Sequence, residues 1–200
     1  MTTASTTELV VRDAKAWRAW LGKHHAESSG VFLVLGKKGI VKPTSLTHAL
    51  ALEEALCYGW IDGQASPRDE VTWRVRFTPR RRQSAWSKRN TGIVEKLVES
   101  GRMLPAGLLE VDRAKADGRW AAAYAGSATI EVPADLAEAL AAKPKAKAMF
   151  ETLNKLNRYA VLYRVTTAKR PETRAKRIQR FVAMLAAGET IYPQSVRTPK

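Results

Sequence analysis

The chain has 200 residues, 45% hydrophobic and 26% charged, ordinary globular material long enough to bury a core without disulfide staples. Its 34 Lys and Arg against 19 Asp and Glu leave a net charge of +15, a field that gathers anions such as nucleic acid, an anionic membrane surface or a phosphorylated small molecule. The single cysteine, Cys57, excludes an intrachain disulfide, and no stretch approaches the ~20 apolar residues that a spanning helix needs.

Leu9 to Val11 reads as a short strand ahead of a helix capped by Asp13, with Trp17, Trp20, Leu21 and His24 at the spacing of a core stripe. Val31 to Leu35, stopped by Gly36-Lys37-Lys38-Gly39, reads as a strand buried on both faces. Pro43-Thr44-Ser45 is expected to open a helix through Ala49, Leu52 and Leu56 that ends near Gly59. Cys57 lies on its apolar side, where a structural thiol is expected. Ile61 to Gln64 is a further strand. Val71, Trp73, Val75 and Phe77 then alternate with Thr72, Arg74, Arg76 and Thr78, so one face packs and the other presents two arginines and two hydroxyls.

Pro79 should end that strand, and Ser87 is a good N-cap for a helix carrying Val94, Leu97 and Val98. A helix from Pro105 to Asp117 follows. The stretch Gly126 to Val132 has linker composition, and Pro133 and Pro144 suit the first residues of helices. Beyond them come Leu136 to Leu140, Met149 to Leu156, and a last helix from Pro171 with Ile178, Phe181, Val182 and Leu185 on one stripe. The expected fold is α+β: residues 1–125 form a small, mostly antiparallel sheet with helices, and residues 126–200 a helical subdomain with a disordered tail from about residue 189.

Between Val71 and Val94 stand Arg74, Arg76, Arg80, Arg81, Arg82, Lys88 and Arg89, with no acid among them. Arginine forks supported by Thr78, Ser84 and Asn90 suit phosphate or carboxylate, and a helix N-terminus after Ser87 adds partial positive charge. Arg76 and Arg80 are the most site-like, and Arg82 and Arg89 read as solvated. Trp60, Asp62 and Gln64 have two readings. One is a pocket floor in which Asp62 orients a ligand or moves a proton, with Trp60 and Trp86 as stacking platforms. The other is a tight turn in which Trp60 packs and some arginines pair with Glu53, Glu54 or Asp62.

The run Ala55-Leu56-Cys57-Tyr58-Gly59-Trp60-Ile61-Asp62-Gly63 is followed by Arg76-Phe77-Thr78-Pro79-Arg80, by Ser84-Ala85-Trp86-Ser87 with Asn90, and by Gly101-Arg102-Met103. Ala168-Lys169-Arg170-Pro171-Glu172-Thr173-Arg174 with Arg177 completes five motifs that resemble the YdeI/OmpD-associated family, described as bacteriocin-protection proteins. The resemblance runs through nearly the whole chain. It implies a role in tolerating antimicrobial peptides or envelope stress and names no reaction. Some descriptions place such proteins in the periplasm; this sequence shows no export signal, and a cytoplasmic location is expected.

Three functions fit. A non-enzymatic module could bind an anion, with nucleic acid or a nucleotide leading, through Trp60, Asp62, Gln64, Arg74, Arg76, Thr78, Arg80, Arg81, Ser84, Trp86 and Asn90. An enzyme could act on a phosphorylated or carboxylated small molecule, with Asp62 as the catalytic candidate. An interaction module could meet an acidic protein partner through Lys169, Arg170, Arg174 and Arg177. His24 and His25 are adjacent, His48 is distant and no cysteine pair exists, so no metal is expected. Without a P-loop or dinucleotide fingerprint, no cofactor is expected either.

Overall fold

Alternation of apolar and charged side chains along one strand demands a sheet with two unlike faces. In the computed structural model, which describes residues 7–194, four strands answer that demand: β1 (Glu8–Leu9), β2 (Val31–Gly36), β3 (Trp60–Pro67) and β4 (Thr72–Pro79). They form one sheet in the order β1-β2-β4-β3, with β1 parallel to β2 and the other pairs antiparallel. The protein is α+β, its mostly antiparallel sheet accompanied by helices. The chain divides into two compact units, one running through Ala123 and the other starting at Tyr124.

In the first unit, Val31, Leu33 and Leu35 of β2 and Val75 and Phe77 of β4 turn to the same side and bury against helices α1 (Ala14–His24) and α2 (His48–Cys57). Trp17 and Leu21 from α1 and Leu52, Ala55 and Leu56 from α2 complete that layer. Burial of the Trp17 indole strands an N–H, which donates to the Ala51 carbonyl at 3.1 Å and so ties α1 to α2. Asp13 caps α1, its Oδ1 accepting from the Ala16 N–H at 2.8 Å.

Two local expectations are corrected. His24 is exposed and lies on Trp20 at a ring separation of 4.8 Å, because the covered stripe of α1 ends at Leu21. The helix expected from Pro43 begins at His48 with Thr47 as its cap; Thr44 is instead buried, with its Oγ1 accepting from the Leu46 N–H.

Beyond the sheet come α3 (Lys88–Glu99), capped by the Ser87 hydroxyl, and α4 (Pro105–Ala116). Two glycines let α4 approach the end of α2. Gly59 has φ +74 and an added Cβ there would stand 2.9 Å from the Ala106 carbonyl oxygen, while one at Gly107 would stand 2.4 Å from the Cys57 carbonyl oxygen. Any larger residue has to push the two backbones apart.

The second unit is helical: α5 (Ala134–Ala141), α6 (Pro144–Thr152), α7 (Lys155–Thr166) and α8 (Pro171–Ala186) close over Leu136, Phe150, Val161, Leu162, Phe181 and Leu185. Pro144 and Pro171 open their helices, where a missing N–H costs nothing, and Pro133 stands one residue earlier as the cap of α5. The segment read as Met149 to Leu156 is interrupted, since Leu153 is extended and Asn154 caps α7 by accepting from the Asn157 N–H at 2.9 Å. Asn157 is fully buried and exchanges hydrogen bonds with the backbone of Tyr192 at 2.9 and 3.0 Å. The disorder expected from about residue 189 therefore does not hold through Gln194; residues 195–200 lie outside the described residues.

Candidate functional site

The residues that the sequence groups together are distributed over three environments. The first is the helix-covered side of the sheet. Trp60 is 1% exposed and its indole N–H donates to the His25 carbonyl at 3.1 Å, so it packs in the core and offers no face to a ligand. Asp62 is opposite Phe77, and its Oδ2 lies 3.0 Å from Nε2 of His48, the first residue of α2. The His48 ring lies 5.8 Å from Trp73 and 6.4 Å from Phe77. The pairing of β3 with β4 is irregular between Asp62 and Ala65, leaving Gly63 and Gln64 exposed. Sequence reasoning missed His48, whose fourteen-residue separation from Asp62 carries no local period.

The second environment is the opposite face of the sheet, outside the core cluster, where Val34 is nevertheless fully buried, so that β2 is covered on both sides at that point. Register sets Phe32 opposite Arg76, Val34 opposite Arg74 and Glu8 beside Phe32. The guanidinium carbons of Arg74 and Arg76 lie 5.0 and 5.7 Å from the centre of the Phe32 ring. Arg74 Nε donates to Ser66 Oγ at 2.9 Å and its Nη1 donates to Glu8, which also accepts from Arg68 Nε at 3.1 Å. Hydrogen bonds from Arg68 and Arg74 hold the Glu8 carboxyl below its usual range. Thr78 is half-buried at the end of this row, whereas Thr72 is buried and bonded to Asp69. Of the two hydroxyls expected to face outward, Thr72 is thus spent on closing the β3–β4 turn.

The third environment is the 80–90 segment, where packing absorbs most of the candidates. Arg80 is 7% exposed, its guanidinium carbon 3.5 Å from the ring centre of Trp86, and its Nη1 donates to the Ala85 carbonyl at 3.2 Å. Trp86, 2% exposed, lies 4.9 Å from Trp120, over which Lys115 sits at 5.5 Å. Asn90 is buried, and Ser84 closes a turn by accepting from the Arg81 N–H at 2.9 Å. Arg80 and Trp86 are therefore corrected from ligand groups to packing groups, because a guanidinium stacked on indole is shielded by the rings around it. Arg81, Arg82, Lys88 and Arg89 remain exposed.

Glu53 and Glu54 are engaged by arginines from outside the cationic stretch. Arg102 reaches both, at 2.8 and 2.6 Å, and Arg18 donates to Glu54 at 2.7 Å. Cys57 lies against this network, its thiol pushed up first by burial and then by Glu54. It is a structural cysteine with no thiolate character.

In the second unit, Arg174 forks Asp135 at 2.6 and 2.8 Å and donates to the Val165 carbonyl at 3.0 Å, while Arg177 donates to the Arg164 carbonyl. Both cations thus complete the carbonyl end of α7, where positive charge is stabilising. Lys169 and Arg170 stay exposed ahead of α8. A groove of about 360 Å³ runs beside Pro171, Arg174, Ile178 and Asp135. Among the described residues no group of three or more metal-ligating side chains is gathered, and no helix is long and apolar enough to cross a membrane.

The architecture is that of a basic α+β protein with a four-stranded, mostly antiparallel sheet followed in the chain by a compact helical unit. The chain belongs to the family described as Domain of unknown function (DUF8412), whose profile matches residues 9–110, half of the chain. Residues 129–188 match the family described as Bacteriocin-protection, YdeI or OmpD-Associated. That resemblance is narrower than the motifs suggest: those from Ala55 to Met103 fall in the stretch matched by the first family. No curated protein and no solved structure matches the chain.

Proposed function

We propose that this protein binds an anionic ligand, with nucleic acid leading, on the arginine-bearing face of its sheet and on the exposed cations of the following loop, without catalysing a reaction. The observation that carries this reading is the row of Arg74 and Arg76 along one strand, on a face outside the core cluster. Side chains two residues apart on a strand stand about 6.7 Å from one another. Arg81, Arg82, Lys88 and Arg89 extend the positive field beyond the strand. The family description for residues 129–188 makes tolerance of antimicrobial peptides the proposed setting, and a cytoplasmic location and stress-linked role belong to the same proposal. Lys169 and Arg170 are the residues left for an acidic protein partner.

An enzymatic reading would need Asp62 and Arg76 to meet on one substrate. They belong to opposite faces of the sheet, and Arg80 is buried, which counts against it. The test is anion binding at two salt concentrations by the native chain and by an Arg76→Ala, Arg81→Ala, Arg82→Ala variant. Nucleic-acid affinity should fall with a slope of about 0.7–0.9 logarithmic units per phosphate neutralised, and the variant should flatten it. Absence of any anion binding, or a slope untouched by the triple change, refutes the reading.

A further inference from the structure

We infer that the ligand of the arginine-bearing sheet face is a single-stranded nucleic acid, held with its bases toward Phe32 and Glu8 and its backbone toward Arg76; this rests on the anion-binding reading above. Trp60 and Trp86 are buried and cannot stack on a base. Phe32 can, being half-buried, on the central strand β2 and on the face outside the core. Every base has a π-face, so an aromatic ring or a planar guanidinium on an open sheet supports single strands with little regard to sequence.

The composition of the face separates bases from bare phosphate. Glu8 is beside Phe32 in register and carries an ionised carboxylate, which repels phosphate but accepts from the amino groups of exposed bases. Glu8 also fixes Arg74, together with Ser66, so that fork is placed before any ligand arrives. Duplex DNA buries its base faces in its own stack and is read by a helix or ribbon entering a groove. The residues on this face belong to the sheet strands themselves, which lets a flexible single strand follow β4 from Arg74 to Arg76.

The experiment is fluorescence anisotropy of labelled 12-nucleotide DNA and RNA single strands with the full chain, with a duplex of the same length and inorganic polyphosphate as competitors. Native protein should prefer single strands to duplex and polyphosphate by about tenfold or more, and Phe32→Leu should lower single-strand affinity about tenfold. The same change should leave polyphosphate affinity unmoved, while Phe32→Trp should keep or raise single-strand affinity. Arg76→Ala should weaken all polyanions together. Equal binding of duplex, polyphosphate and single strands, with Phe32→Leu without effect, overturns this inference and leaves the anion-binding reading standing. A Phe32→Leu loss shared equally by polyphosphate overturns it too, since the ring would then serve only to hold its arginines. No binding of any polyanion overturns both. Circular dichroism of each variant shows whether the fold is kept, and Phe32→Trp supplies the decisive comparison if Phe32→Leu does not fold.

Discussion

His48 Nε2 lies 3.0 Å from Asp62 Oδ2, joining the first residue of α2 to the edge strand of the sheet across fourteen residues of chain. The contact fixes both ends of the His48–Asp62 segment and gives Asp62 a partner within the fold. A carboxylate engaged with an imidazole at the margin of the core is an anchor for the helix that covers the sheet.

A double-mutant cycle measures that anchor. His48→Ala and Asp62→Ala should each destabilise the protein, with a coupling of about 1 kcal/mol in urea unfolding. Additive effects would show that the two side chains act separately.

Arg80 and its neighbours are separated by packing. Arg80→Ala should cost about 2 kcal/mol, because it removes a buried stem and the stack on Trp86. Arg81→Ala and Arg82→Ala, at exposed positions, should each cost under about 0.5 kcal/mol. Denaturant midpoints for the three variants check the ranking, and an undisturbed Arg80→Ala protein would return Arg80 to the candidate ligand groups.

Gly107→Ala should destabilise by about 2 kcal/mol or more, since the added carbon would stand 2.4 Å from the Cys57 carbonyl oxygen. Gly92, in open space on α3, is the control. Gly92→Ala should be neutral or stabilising by the gain in helix propensity, about 1 kcal/mol at most. Thermal midpoints of both variants give the comparison.

The turn between β3 and β4 carries an acid dependence. The Thr72 hydroxyl, followed by backbone N–H groups of Thr72 and Val71, holds the Asp69 carboxyl down to about 2 against an ordinary value of 3.8. A carboxyl depressed in the folded state contributes stability above its unfolded value, and that contribution disappears as pH falls through the folded one. Asp69→Asn should therefore lower the thermal midpoint at pH 5, and the two proteins should converge as pH drops from about 4 to about 2. A difference that persists unchanged at pH 2 would contradict this.

In the second unit, Arg174→Ala should cost about 1 kcal/mol, and Arg174→Lys should recover less than half of it, because a point cation cannot fork Asp135 while donating to Val165. Urea unfolding followed by circular dichroism measures both. Full recovery by lysine would mean that charge alone matters there.

Several signals were legible because their cause is local. Asp13 and Ser87 are caps because a short oxygen-bearing side chain satisfies the first amides of a helix, whatever surrounds it. Pro105, Pro144 and Pro171 open helices for the same kind of reason. The period-two run from Thr72 to Phe77 declared its two faces, and Val75 and Phe77 join the core while Arg74 and Arg76 stay out of it. Thr47 and Asn154 are caps of the same type and were missed: a competing proline signal at Pro43 and an apolar run from Met149 to Leu156 obscured them.

By itself the sequence determined the α+β class, the cationic stretch from Arg74 to Arg89 and the basic balance of charge, because these depend on residue types and their spacing along the chain. Only the tertiary structure decided which cations face outward. Residues adjacent in sequence alternate across a sheet, so Asp62 and Arg76 part to opposite faces, and Arg80 turns onto Trp86 while Arg81 turns to solvent. The partners that settle these fates, His48 for Asp62, Trp86 and Trp120 for Arg80, and Asp135 for Arg174, come from other elements of the chain. Contacts between segments brought together only by folding leave no period in the sequence, and the allocation of charge between packing and surface is made there.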